Sequence, residues 1–498
     1  MQEYGTVIST QDGPTTRRFS FVINSNSVVK RGQFVQVRTQ EGELIGRISD
    51  IYRTNRYFMR PEAVKEYESA GRPLSEIFPV DNWEYLIASV DVLGVYSHNG
   101  FQDSLIPPSP GTKVKEPDLN ILSNFFGLDK NGIHIGNLLY HEDLKVCLNP
   151  TRLLQKHLAI LAISGAGKSY LTSVIIEELL DRKPEDGQIA VIVLDTHGEY
   201  VSFADDSKYS NRTRVFPLSE IKIGISNLSA RTIHEFFPKL SYVQIRELSK
   251  VMNKLGNNYS IEDLIRFIEE SDDVKSSTKD ILLSVLEEMK MTSLFGIKDY
   301  PPVDELARQG FLSVIDLSET TSLHKKQTAV AYIAKKLFTA RRKGIISPFL
   351  LVVEEAHQFA PEKTKKEHAV SKGIIQTLAR EGRKFHASLC LISQRPVQLS
   401  TTALSQCNTH IILRVTNPYD IEHIGKSSEG LNKSVLKQIS TMRVGTALIV
   451  GEAVNYPMFV KVRQRSSKIS EKGLPLEKAA VEFYMRSKQI SEDAKSFM

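Results

Sequence analysis

The sequence predicts an α/β chain built on a parallel sheet, with a small all-β segment before the sheet and a helical segment within it. Three observations carry that expectation. From about residue 130 onward, unbroken apolar runs alternate with helical periodicity, and strands apolar on both sides belong to parallel sheets covered on each face. Residues 1 to about 115 instead show short alternating runs between glycine turns, the pattern of a small barrel or sandwich. Between about 227 and 300 the strand signals disappear. A chain of 498 residues is also longer than one core usually spans, so several domains are expected.

In order along the chain, the runs Phe19–Ile23, Phe34–Val37, Leu44–Ile48 and Leu86–Val92 are separated by Asp12-Gly13-Pro14, Arg31-Gly32 and Glu41-Gly42, which gives a β-barrel over 1–115. Pro107-Pro108-Ser109-Pro110-Gly111 reads as the punctuation that closes it. The first part of the core, 130–226, holds a strand at His157–Ile163, a helix at Ser169–Leu180 and a strand at Ile189–Leu194. Helices at Tyr242–Leu255 and Ile261–Glu270 mark a helical insertion over 227–300. Strands return over 301–465 at Leu312–Leu317, Phe349–Val353, Ser388–Ile392, His410–Arg414 and Thr446–Val450. A charged extension, 466–498, ends in a short helix.

Composition narrows the class. Hydrophobic residues at 41% and charged residues at 24% describe a globular protein. No 18-residue apolar stretch occurs and the start MQEYGTVIST lacks a basic-then-apolar pattern, so a cytoplasmic protein with no membrane association is expected. Cys147, Cys390 and Cys407 are far apart with no Cys/His spacing, which argues against a zinc site and for a reducing compartment. Lys+Arg 64 against Asp+Glu 58 gives a net charge of +6, a weak sign of nucleic-acid binding by itself.

The chemistry is written at strand ends. The run His157–Ile163 leads into Ser164-Gly165-Ala166-Gly167-Lys168-Ser169-Tyr170, and a helix follows. A phosphate needs close backbone N–H groups, which the glycines permit, and the helix N-terminus adds partial positive charge. Lys168 would reach the β/γ-phosphates of ATP and the Ser169 hydroxyl would ligate Mg²⁺. The usual opening glycine of this loop is Ala162 here. Phe349–Val353 then ends in Glu354-Glu355; Glu354 would hold the metal shell and Glu355 would polarise the attacking water. Asp195-Thr196-His197-Gly198-Glu199-Tyr200 closes another strand at the edge where such sheets bind ligands. Ser393-Gln394-Arg395-Pro396 closes a further one, and the Gln394 amide there is placed to sense a γ-phosphate. These features specify a RecA-like P-loop ATPase core with an N-terminal β-barrel and a helical insertion.

Arg380, Arg383 and Lys384 precede the strand that ends at Gln394, and Arg414 ends the next one. Either group could supply an arginine to a neighbouring subunit's phosphate if rings form. Lys363, Lys365 and Lys366 follow the acidic strand, where cations could contact DNA backbone phosphates without reading sequence.

Ser164–Ser169, the sextet Asp195–Tyr200, Glu354-Glu355-Ala356-His357 and the stretch from Gly382–Lys384 to Gln394-Arg395-Pro396 together resemble the archaeal HerA DNA translocases, of the HerA/FtsK branch of P-loop motors. The β-rich N-terminus is similar to that family's barrel, so the likeness covers nearly the whole chain. The resemblance implies a homohexameric ring around double-stranded DNA. It also implies work with a NurA-type nuclease in end resection for recombinational repair, alongside Mre11–Rad50. Under it Lys168 and Ser169 bind nucleotide and Mg²⁺, Glu354 is the metal-side acid, Glu355 the catalytic one, Gln394 the sensor, and Arg380 or Arg383 the trans-acting finger. Two other readings use the same nucleotide site: a VirB4-type transport ATPase that moves protein, and a nucleotide-switched scaffold.

Overall fold

The computed structural model describes residues 2–9, 13–55, 58–69, 83–98, 100–272, 274–364, 369–428, 430–431, 433–470 and 476–496. The chain divides into two compact units, Met1–Lys130 with Asn137–Val146, and Asn131–Gly136 with Cys147–Met498.

The smaller unit carries β1 (Glu3–Ile8), β2 (Arg18–Ile23), β3 (Phe34–Arg38), β4 (Glu43–Asn55), β5 (Glu84–Ser97), β6 (Gly100–Gln102) and β7 (Lys113–Lys115). The order β2-β1-β7-β3-β4-β5 closes on itself because β2 also pairs with β5, and β6 is appended to β5. The result is a closed six-stranded barrel, which removes most edge strands. Closure needs bent strands, and β4 supplies register shifts at Ile45/Gly46 and Ile48/Asp50. Tyr4, Phe19, Phe21, Val35, Val37 and Val90 fill the interior. The Pro107–Gly111 run does not close the barrel, because β7 comes after it and seats between β1 and β3. The run is a turn inside the barrel, with the Gly111 N–H donating to the Val7 carbonyl at 2.8 Å. A helix not anticipated from sequence, Leu119–Phe126, follows; the Asp118 carboxylate caps it by accepting from the Asn120 and Ile121 N–H groups.

The larger unit is organised by a sheet. After β8 (Ile133–Leu138), which begins in this unit, and β9 (His141–Leu148), which only ends in it, come β10 (Leu158–Leu161), β11 (Ala190–Asp195), β12 (Thr213–Pro217), β13 (Ile223–Gly224), β14 (Phe295–Gly296), β15 (Leu312–Asp316), β16 (Phe349–Val353), β17 (Ala387–Ser393), β18 (Thr409–Ile412), β19 (Thr446–Gly451) and β20 (Met458–Val462). Seven strands run parallel in the order β12-β15-β11-β16-β17-β10-β18, and β19 and β20 extend the sheet antiparallel. Alternate residues such as Ala190, Ile192 and Leu194, or Phe349, Leu351 and Val353, join one large apolar cluster. The residues between them point to the other face and are buried too, which is why these strands read as unbroken apolar runs.

The stretch without strand signals folds as four helices, Ala230–Phe236, Tyr242–Leu255, Ile261–Glu270 and Ser276–Met291, between β13 and β14. Ser241 with Gln244 and Ser260 with Asp263 form capping boxes that start two of them. Their apolar faces, including Leu248, Leu264, Ile268 and Leu286, belong to the sheet's cluster. The terminal helix is not short: it spans 21 residues, Leu476–Ser496. Among the described residues no helix is long and apolar enough to cross a membrane.

Candidate active site

The phosphate loop follows β10, whose four residues are fully buried. Gly165 and Gly167 take φ of +74° and +99°, a region closed to most side chains, and so aim the loop's amides inward. Gly167 then caps the helix Lys168–Asp181. Ser164 and Gly165 are exposed, Ala166 is buried, and Gly167, Lys168, Ser169 and Tyr170 are half-buried at the helix start. The Lys168 Nζ lies 3.4 Å from the Ile163 carbonyl oxygen. Ala162 is absent from the residues with positive φ and its N–H donates to the Ser393 carbonyl at 3.2 Å. It is a buried strand-end position with no need of glycine, so the departure from the usual loop is accommodated.

The acids stand where their strands leave the sheet. Glu354 and Glu355 follow β16 and are 2% and 3% exposed, so both need partners. The Glu354 Oε2 accepts from the Thr196 N–H at 2.8 Å. The Asp195 Oδ1 accepts from His197, Gly198 and Glu199 at 3.2, 2.7 and 3.1 Å, and its Oδ2 accepts from Tyr200 at 2.8 Å. A hydrogen bond joins the Asp195 and Glu354 carboxyl groups. Burial first, then the charges of Asp195 and Glu199, raise the pKa of Glu354 well above its usual range. Burial raises Asp195 as well, against the amides of Tyr200, Glu199 and Gly198, which favour its charge. Burial also raises Glu355, while Lys168, His197 and a hydrogen bond from the Gln394 side chain oppose it. Lys168, Glu355 and Gln394 are thus brought together.

Sheet order explains the convergence. β17 stands between β10 and β16, with Leu161 opposite Ser393 and Val353 opposite Leu391. The strand carrying Gln394 is therefore flanked by the lysine loop and the acids, all at one sheet edge.

The arginines lie elsewhere. Arg380 is exposed near the end of the helix Lys372–Glu381, its Nε donating to the Gln376 carbonyl at 3.2 Å. Arg383 is exposed in the turn before β17 begins, at the opposite sheet edge from the chain's own phosphate loop. Arg414 differs from both: its carbonyl accepts from the Ile163 N–H at 3.0 Å, so it flanks its own loop, and its Nε is buried without a hydrogen-bond partner. Lys363 is exposed, whereas Lys365 and Lys366 lie outside the described residues.

Sequence reasoning missed two groups. One is His357, whose Nδ1 lies 3.2 Å from the Ser393 Oγ. It stood inside the quoted acidic motif, but nothing in its spacing gave it a role. The other is Arg463–Ser470, which straps the helix after the phosphate loop. The Glu177 Oε1 accepts from the Ser466 N–H, the Ser467 N–H and the Ser467 hydroxyl at 2.9, 2.7 and 2.6 Å. Its Oε2 accepts from Arg463 at 2.8 Å, and the Tyr170 hydroxyl accepts from the Arg465 N–H at 2.8 Å. Glu177 falls among apolar helix residues, and only its position there hints at a buried partner.

A phosphate loop after one strand, with acids two strands away across β17, defines a P-loop motor ATPase fold. VirB4 of Thermoanaerobacter pseudethanolicus shares that fold with a TM-score of 0.52 at 14% identity, over 67% of this chain and 97% of its own. The family "Helicase HerA, central domain" matches residues 133–337. The DNA double-strand break repair helicase HerA of Pyrococcus furiosus is 28% identical over 93% of this chain and 92% of its own length. The probable DNA double-strand break repair helicase HerA of Methanocaldococcus jannaschii is 30% identical over 76% of this chain and 85% of its own. The chain belongs to the HerA helicase family, as its motifs suggested.

Proposed function

We propose that this chain is an ATP-hydrolysing motor that translocates on double-stranded DNA as a homohexameric ring. In this reading it works with a NurA-type nuclease, alongside Mre11–Rad50, in resecting DNA ends for recombinational repair. The observation that carries the reading is the meeting of Lys168, Glu355 and Gln394 at one sheet edge, in a chain whose relatives are repair helicases.

Lys168 and the loop amides hold the β- and γ-phosphates, and the helix start at Gly167–Ser169 favours their charge. Glu355 orients the attacking water, and its buried, unpartnered Oε2 is available for that water's hydrogen. Gln394, whose side chain lies beside Glu355, would register the γ-phosphate. The hydroxyl of Ser169 and the carboxyl of Glu354 are hard oxygen donors, the kind Mg²⁺ takes alongside phosphate and water. Bound there, Mg²⁺ would neutralise charge on the transferring phosphoryl group. Arg380 or Arg383, exposed and remote from the chain's own loop, would serve a neighbouring subunit.

The test measures ATP hydrolysis with and without duplex DNA. Duplex DNA should stimulate turnover, Lys168→Ala should abolish it, and Glu355→Gln should bind ATP without hydrolysing it. Turnover indifferent to duplex DNA would favour a transport ATPase or a switch instead.

A further inference from the structure

Beside the acids sits a histidine that this chemistry leaves idle. The His357 side chain is 10% exposed and that of Glu355 4%. The His357 Nδ1 lies 3.2 Å from the Ser393 Oγ and 3.3 Å from the Glu355 Oε2. The two approaches are not equivalent. The contact with Ser393 is a hydrogen bond, whereas the Glu355 Oε2 makes none and is near without being aligned. The Ser393 Oγ also accepts from the Arg395 N–H at 3.0 Å and keeps a second lone pair, with which it can accept from an Nδ1–H. Burial, with the Arg395 and Lys168 charges, holds the imidazole pKa down to about 4, so the ring is neutral. A neutral ring protonated at Nδ1 has one proton there to give, to one oxygen at a time.

Glu355 itself has φ of +48°. A residue with a side chain keeps that left-handed conformation only where its surroundings over-determine it. Around Glu355 stand Lys168, His197, Gln394, Glu199 and His357.

We propose that His357, backed by Ser393, is a positioning residue for Glu355: Nδ1 stands between two oxygens and bonds one at a time. Passing it from Ser393 to the Glu355 Oε2 fixes the carboxylate in the orientation that holds the attacking water. Ser393 and Gln394 are consecutive, so whatever moves the sensor amide also moves the group competing for Nδ1. This inference rests on the reading of Glu355 as the water-orienting acid.

The experiment uses the full chain, with steady-state ATPase and binding of a fluorescent ATP analogue. His357→Ala should lower kcat by about 10²-fold, the scale of a misplaced reacting group, while KM and analogue binding stay near parental. His357→Asn, whose amide sets a polar atom close to where Nδ1 was, should recover most of the loss and shows that the fold tolerates the site. Ser393→Ala should also lower kcat, and the double variant His357→Ala/Ser393→Ala should lose less than the product of the two, because both act through one contact. Parental kcat in His357→Ala beside an inactive Glu355→Gln would overturn the positioning role alone. So would multiplying losses, or no recovery in His357→Asn. Parental turnover in Glu355→Gln would overturn the underlying reading of that acid.

Discussion

Replacing Arg463 by Met cuts the strap where it meets the buried Glu177 carboxylate while keeping the bulk of the side chain. Arg463 binds the Glu177 Oε2 at 2.8 Å and the Glu178 Oε1 at 2.9 Å, and donates to the His134 carbonyl at 3.1 Å. The arginine side chain is 15% exposed and that of Glu177 0%, so the variant leaves a buried carboxylate with its cation gone. Removing one partner of such a pair costs about 3–5 kcal/mol. Glu177 keeps the three donors from Ser466 and Ser467, which argues for the low end, about 3 kcal/mol. At roughly 2 °C per kcal/mol for a large unit, the melting transition should fall by about 6 °C. Differential scanning fluorimetry reads this directly. Glu178→Gln, which removes the more exposed partner, should change little. Arg463→Lys should recover only part, since one ammonium cannot serve two carboxylates as a guanidinium fork does. A melting point within 1 °C of parental in Arg463→Met, on the ~2 °C per kcal/mol scale, would refute the view that this pair fastens the strap.

Three further outcomes are expected. Mixing hydrolysis-dead Glu355→Gln subunits with Arg383→Ala subunits should restore some DNA-stimulated ATPase, because some interfaces then carry both intact halves; co-assembled mixtures that stay inactive would remove Arg383 as the finger and turn the test to Arg380. Changing Lys363, Lys365 and Lys366 together to Ala should weaken duplex binding equally for all sequences and reduce the slope of log affinity against log salt by up to about 3, at ~0.9 per phosphate contact; an unchanged slope places them off the DNA path. Burial holds His157 and His410 at about 4, below an ordinary value near 6.5, so the unfolded chain takes up the proton first and stability falls as pH drops from about 6.5 to 4, by about 2 kcal/mol per histidine at pH 5. Denaturant unfolding at pH 7 and pH 5 checks that, and equal stability at both would contradict it.

The parallel core was legible because both faces of its strands are buried, so β11 and β16 read as unbroken apolar runs ending in acids. The helices Tyr242–Leu255 and Ile261–Glu270 were legible to the residue, since each begins at a serine cap and presents an apolar stripe. The phosphate loop survived the loss of its opening glycine because Ala162 occupies a regular strand-end position. What stayed hidden was long-range pairing between polar groups. Nothing local says that Glu177 meets Arg463, 286 residues away, or that the Asp195 and Glu354 carboxyl groups come together. The Pro107–Gly111 run misled for a related reason: whether such a turn ends a barrel or sits inside it depends on a partner strand far along the chain.

β17 has a mechanical consequence. All seven of its residues are buried, and it is hydrogen-bonded on both sides, to β10 and to β16. At about 3.3 Å per residue it is a rod of roughly 23 Å that can neither bend nor shorten appreciably. Ser393 and Gln394 sit at one end and the turn bearing Arg383 and Lys384 at the other. A push at the Ser393 end would therefore arrive at the Arg383 end almost undiminished, and under the proposed role of Gln394 a displacement begun at bound phosphates would emerge on the far side of the sheet as a movement of charge.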